Sequence, residues 1–302
     1  MPKRAHWRKL DNAAKLYSAT SNKKDTRVFR FYCILKEDID PRKLQEALDK
    51  TLLVYPVFLS VMRKGLFWHY LENSTLHPEV VKEHREPCST LYIRDKRTLL
   101  FEVTYFKNRI NLEVFHALTD GTGATEFLRE LIKNYLCLSH KSEGLSDISL
   151  TDPDITIQDQ ENDSFSKYYT KMQKPKEKKP KAVQIKNLQT ETGLLNIDER
   201  ILSVKSVLAR SRELGVSMTV FLTAVYMMAI HQEMSHRQEK DPVVLMIPVN
   251  LRKFFPSNSM LNFFNWIEPG YHFDKGRDTF EDVLIYVKEY FNTELTLEQV
   301  SR

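Results

Sequence analysis

The sequence predicts an α/β protein of two domains. Strand-like runs rich in Val, Ile, Phe and Tyr alternate with runs of helical periodicity. A polar, turn-rich stretch over residues 139–200 interrupts them, and weak structure of that length inside a compact domain reads as a crossover. The length of 302 residues is long for one hydrophobic core and comfortable for two. The boundaries expected are 1–150 for the first domain, 151–195 for the crossover, and 196–302 for the second domain.

Each element has a local reason. "TRVFRFYCILKEDID" reads as a strand from its branched and aromatic residues. "DPRKLQEALDKTLLVYP" reads as a helix: Asp40 is the N-cap, Pro41 fits the first turn, and Pro56 stops it. Leu44, Ala47, Leu48, Thr51 and Leu52 form its apolar stripe. "VFLSVMRKGLFWHYLE" reads as a hairpin turning at Lys64 and Gly65. "TLLFEVTYFKNRINLEVFH" reads as two more strands turning near Lys107 and Asn108, and "GATEFLRELIKNYL" as a helix. In the crossover, the lysine-proline run "KMQKPKEKKPKAVQIK" reads as a solvated linker; it lacks the aromatic interleaving of a nucleic-acid site. "SVKSVLARSRELG" is a helix with Ser203 as cap and Gly215 beyond its end. "SMTVFLTAVYMMAIHQEMSHR" is apolar on nearly every side and reads as a deeply buried helix. "PVVLMIPVNLR" has the look of a central strand covered on both faces. "NFFNWIEPGYHF" is a further strand, and "DTFEDVLIYVKEYFNTEL" a helix with Asp278 near its start.

Composition excludes more than it selects. Hydrophobic residues make up 42% and charged residues 28% of the chain, an ordinary globular mix. A net charge of +5 suits an anionic small ligand as well as a nucleic acid. Three scattered cysteines, Cys33, Cys88 and Cys137, form neither a CxxC pair nor a disulfide framework, which fits a reducing compartment. The N-terminus is basic without an apolar h-region, so no secretory signal is read. The longest apolar stretch, Met218 to Ile230, is too short to span a bilayer. A cytoplasmic location is expected.

The most informative stretch is "NLEVFHALTDGTGATEF". Alternation puts Ile110, Leu112, Val114 and His116 on one strand face and Asn111, Glu113 and Phe115 on the other. The first face is apolar, so the imidazole points inward and needs a hydrogen-bond partner or a reactant. Burial would hold it neutral and able to accept a proton. Gly121 and Gly123 let the backbone turn and approach something closely, and the helix that follows offers free N–H groups at its start. The bland alternative is a structural histidine followed by a simple Asp-Gly turn and cap.

"HALTDG" resembles the H-x-x-x-D-G signature of the chloramphenicol acetyltransferase-like, coenzyme A-dependent acyltransferases. That superfamily takes in alcohol acetyltransferases, plant acyltransferases and the condensation domains of nonribosomal peptide synthetases. "IPVNLRKFFP" is similar to the strand-plus-arginine segment of its second domain, and "LNFFNWI" to the segment after it in alcohol acetyltransferase-like members. The resemblance implies a two-domain fold, each domain a mixed β-sheet flanked by helices. It implies His116 as general base for acyl transfer from acyl-CoA, acetyl above all, to an alcohol or amine. Donor and acceptor would be small molecules meeting in a tunnel, with no permanently bound cofactor. It also implies that Asp120 points away from substrate and pairs with an arginine, for which Arg252 is the candidate; Gly121 completes the motif. No residue is assigned to coenzyme A.

Departures from the family pattern sharpen the reading. Phe115 stands where condensation domains carry the first of two adjacent histidines, which favours an acyl-CoA acyltransferase. No D-F-G-W-G-like segment occurs, so the second domain reads as incomplete, and self-association is expected from it. The alternatives are a carrier-protein-dependent condensation or acyl-transfer enzyme and a non-catalytic binding relic of the fold. Other motifs fail on chemistry. "GTGATE" puts Glu126 where a dinucleotide fingerprint needs glycine. "DPDITIQDQEND" puts Ile157 where a calcium loop needs glycine. "HQEMSH" spaces its histidines five apart, off the face a zinc helix uses. Neither a metal nor a nucleic acid is expected.

Overall fold

The computed structural model describes residues 6–66, 68–145, 149–169, 181–185, 195, 197–273 and 278–301. Most of the lysine-proline run lies outside the described residues. The chain forms two compact units, and Pro256–Phe263 belongs to the first although the chain on either side of it belongs to the second.

The first unit contains, in order, β1 (Trp7–Lys9), α1 (Asn12–Thr20), β2 (Val28–Ile34), α2 (Pro41–Val54), β3 (Ser60–Lys64), β4 (His69–Asn73), β5 (Val81–Lys82), β6 (Phe101–Phe106), β7 (Arg109–Phe115), α3 (Gly121–Ser139), α4 (Ile157–Gln160) and α5 (Ser164–Tyr168), the last straddling the boundary. Its main sheet has the order β2-β7-β6-β5. The β5–β6 pair is parallel and the others antiparallel, so the sheet is mixed. β1, β4 and β3 make a second, antiparallel sheet. The helix stripe expected from Leu44 to Leu52 is the buried face of α2, and Asp40 caps that helix by accepting the N–H groups of Arg42 and Lys43. α2 packs against α3, and the core runs from Leu44 and Leu48 through Ile110, Leu112 and Val114 to Phe127 and Leu131. β1 and α1 carry too little periodicity to announce themselves in sequence; Asp11 begins α1 by accepting the N–H of Ala14.

The second unit contains α6 (Val204–Glu213), α7 (Met218–Gln232), β8 (Val243–Val244), β9 (Ile247–Asn250), β10 (Phe264–Ile267), β11 (Gly270–Tyr271), α8 (Phe280–Glu294) and α9 (Leu297–Val300). Ser203 caps α6, and Gly215 takes the left-handed conformation after it, φ 66°. Two expectations change here. "PVVLMIPVNLR" is not a central strand. It breaks into β8 and β9, each paired with one antiparallel neighbour, and Met246 between them is exposed. Nor is α7 deeply buried. Val220, Thr223, Ala224 and Met227 face the core with α8, while Met218, Leu222, Val225 and Tyr226 are exposed. All-round apolarity shows that a helix can be buried on any side, and among the described residues one side is the buried one. Among the described residues no single helix is long and apolar enough to cross a membrane.

Candidate active site

β7 ends at Phe115, and His116 follows directly in the turn before α3. Its N–H donates to the carbonyl of Arg27, which holds it beside the start of β2. The ring is partly buried. It stacks on Tyr17 of α1 at 4.2 Å between centroids and 22° between planes, and Phe29 of β2 leans on it at 4.8 Å. Two aromatic neighbours leave the imidazole little freedom to turn.

The polar contact comes from far along the chain. His116 Nδ1 lies 3.1 Å from Oδ1 of Asn262. Asn262 Nδ2 donates in turn to Oδ2 of Asp11 at 3.0 Å. Asp11 and Asn262 are 3% and 1% exposed, so both are committed to this arrangement. Burial pushes the Asp11 carboxyl up to about 6. Hydrogen bonds from Ala14 and Asn262 pull it down and the charge of Asp163 pushes it further up. Burial likewise holds His116 below the ordinary imidazole value, against its own carbonyl, Asn262, Asp120 and Thr119, which favour the protonated ring. Burial therefore favours the neutral imidazole.

Asn262 is held in place by the segment around it. The N–H of Met260 donates to the carbonyl of Gln160 at 2.8 Å, and the hydroxyl of Thr119 donates to the carbonyl of Met260. The N–H of Phe263 donates to Oδ2 of Asp120 at 2.8 Å, and its ring meets Phe165 edge-on. Gln160 anchors the other end by donating to the carbonyl of Val54. Asp120 thus does two jobs. Oδ1 caps α3 by accepting the N–H groups of Thr122 and Gly123, each at 3.1 Å, and Oδ2 holds Phe263. Gly123 is where the close approach happens: a Cβ there would lie 2.1 Å from Thr119 Oγ1 and 2.8 Å from the Met260 carbonyl. At Gly121 a Cβ would meet the Phe31 ring at an ordinary 3.7 Å.

His116, Asp120 and Gly121 therefore lie in one turn of the first unit. Arg252 lies in the second, in a single 3-10 turn over Leu251–Lys253 where its N–H donates to Asn250 Oδ1. Sequence reasoning missed Asp11, Tyr17 and Asn262. Asn262 sits inside "LNFFNWI", the segment that carries part of the family resemblance, but nothing local marks its side chain as the histidine's partner. Among the described residues no cluster of His, Cys, Asp or Glu could hold a metal ion.

The family model of alcohol acetyltransferases matches residues 155–266, which include Gln160 and the segment bearing Asn262. No curated protein sequence matches the chain. Solved structures match its fold over nearly its whole length. The first condensation domain of the calcium-dependent antibiotic synthetase, in complex with a substrate analogue, superposes with a TM-score of 0.63 at 15% identity, covering 98% of this chain and 76% of that one. Polyketide synthase associated protein 5 from Mycobacterium tuberculosis gives 0.63 at 15%, covering 97% and 74%. The starter condensation domain of rhizomide synthetase, as a variant in complex with C8-CoA, gives 0.65 at 12%, covering 97% and 72%.

Proposed function

With the resemblance to the chloramphenicol acetyltransferase-like superfamily borne out by the alcohol acetyltransferase pattern and the condensation-domain fold, we propose that the chain is a cytoplasmic acyltransferase with His116 as its general base. It moves an acyl group, acetyl in the simplest case, from acyl-CoA to an alcohol or amine. His116 takes the proton of the acceptor as its oxygen or nitrogen attacks the thioester carbonyl. The C–S bond then breaks, and the imidazolium returns the proton to the departing thiolate. No covalent enzyme intermediate is required. A base so placed contributes about 10²–10⁴ in rate, with orientation of the two substrates adding the rest.

One observation carries the reading: a partly buried imidazole whose Nδ1 is tied to Asn262 Oδ1, with burial favouring its neutral form. Asn262 Oδ1 can only accept, so Nδ1 carries the proton and Nε2 carries the lone pair. The complex of a condensation domain of this fold with C8-CoA supports a coenzyme A thioester as donor. The reading retains Arg252 as a partner of Asp120, and strict additivity in a double-mutant cycle between them would remove that pairing.

The deciding assay measures free coenzyme A released from acetyl-CoA and longer acyl-CoA donors in the presence of alcohols and amines. His116→Ala should abolish release while its circular dichroism matches that of the natural chain. Near-normal turnover in a folded His116→Ala protein sinks the general-base reading. The likeness to condensation domains favours one second reading, a carrier-protein donor. Turnover with acyl-pantetheinyl carrier protein and none with free acyl-CoA would select it. A folded chain inert to both donors would select the non-catalytic relic.

A further inference from the structure

We propose that Asp11 and Asn262 are positioning residues that set the tautomer of His116, an inference that rests on the general-base reading above. An amide can face a histidine either way round, offering Nδ1 an acceptor or a donor. Which way is decided by what lies at the amide's other end. Here it is the Asp11 carboxylate, which as an anion only accepts. It therefore claims Asn262 Nδ2 at 3.0 Å and turns Oδ1 toward the imidazole, 3.1 Å from Nδ1. Asp11 cannot turn away, because its other oxygen takes the N–H of Ala14 at 2.7 Å to begin α1. The stack of Tyr17 on the ring keeps the imidazole in plane for this contact. A negative charge buried at the start of one helix thus fixes the polarity of an amide, and the amide, acting beside the histidine's own carbonyl and that of Thr119, biases which ring nitrogen is basic. The three residues come from the N-terminus, the β7–α3 turn and Pro256–Phe263, yet all belong to the first unit.

A pair of isosteric exchanges isolates this role. In Asp11→Asn the new amide keeps its oxygen on Ala14 N–H, since asparagine caps a helix as well as aspartate. Its NH2 then faces Asn262 and forces that amide to rotate. Asn262 presents NH2 to His116 Nδ1, and the proton moves to Nε2. In the double exchange, Asp11→Asn with Asn262→Asp, the new amide donates to the new carboxylate, which accepts again from His116 Nδ1–H. The 15N signals of the imidazole, read in the substrate-free protein with labelled histidine and assigned by loss in His116→Ala, report the tautomer directly. The natural chain should show the Nδ1–H form, Asp11→Asn the Nε2–H form, and the double exchange the Nδ1–H form again. Coenzyme A release should follow, with kcat falling on the order of 10²-fold in Asp11→Asn at little change in KM, and most of it returning in the double exchange. An Nε2–H tautomer in the natural chain, an unchanged tautomer in Asp11→Asn, or no return in the folded double exchange each overturns the proposal. The NMR readout needs no substrate. It therefore stands or falls separately from the acyltransferase reading, which His116→Ala tests.

Discussion

Keeping Asp11 ionised at neutral pH works against the stability of the fold. Its carboxyl rises from 3.8 to about 6 on folding, chiefly through burial. At 1.36 kcal/mol per unit this is about 3 kcal/mol of stability that the folded state has at low pH and lacks at neutral pH. The sign follows from the direction. A raised carboxyl favours folding below its unfolded value near 3.8, and that contribution is lost as the pH rises through about 6. The ionisable groups that bear on it are Arg8, Tyr17 and Asp163. Asp11→Asn carries no charge to bury, so it should be more stable than the natural chain at pH 7, by up to about 3 kcal/mol. The difference should shrink as the pH is lowered toward 4. Urea denaturation of both proteins at several pH values measures this, and a pH-independent difference would contradict it. A variant more stable yet less active is the expected mark of a residue kept for chemistry. The His116 value is lowered, so the acid limb of activity should lie below the ordinary imidazole range.

At the scale of elements, Gly123 at the start of α3 is the most closely surrounded of the described glycines. Gly123→Ala would drive a methyl into Thr119 Oγ1 and the Met260 carbonyl. Neither the backbone of Met260 nor the hydrogen-bonded Thr119 yields easily, so a loss of about 1–3 kcal/mol is expected, with reduced turnover as Asn262 is displaced. Gly121→Ala, which meets only the Phe31 ring at 3.7 Å, is the matched control. Equal stability of the two variants in denaturant would show that Pro256–Phe263 moves freely. The contrast also marks what the sequence could reveal. The Asp40 cap, the Leu44–Leu52 stripe, the Ser203 cap and Gly215 are decided by residues within about a turn of each other, so they were legible. His116 and its turn were legible for the same reason. Asn262 and Asp11 were not, because their meaning comes from a hydrogen bond across 251 residues of sequence. The break between β8 and β9 was hidden too: Val243 to Val249 is apolar throughout, and an apolar run does not state how many neighbours its strand will find.

Over the whole molecule, the described residues of the second unit leave apolar surface uncovered. Met218, Leu222, Val225 and Tyr226 follow the i, i+4, i+7, i+8 spacing along α7 and are 37–59% exposed. The unit's described strands form two pairs, β9 with β10 and β8 with β11, and two-stranded sheets are marginal alone. Association through this stripe is the expected outcome, visible as a concentration-dependent mass in light scattering. Leu222→Glu with Tyr226→Lys should reduce it; a monodisperse monomer of the natural chain at all concentrations would refute it. The first unit has a different dependence, one of timing. His116 and Asn262 are 146 residues apart. A ribosome adding about 5–20 residues per second makes the second roughly 7–30 s after the first. Throughout that interval the nascent chain carries its histidine motif without the amide that orients it. On the acyltransferase reading, activity should therefore switch on when residues 256–263 emerge and dock beside α1, and not when the motif itself has folded.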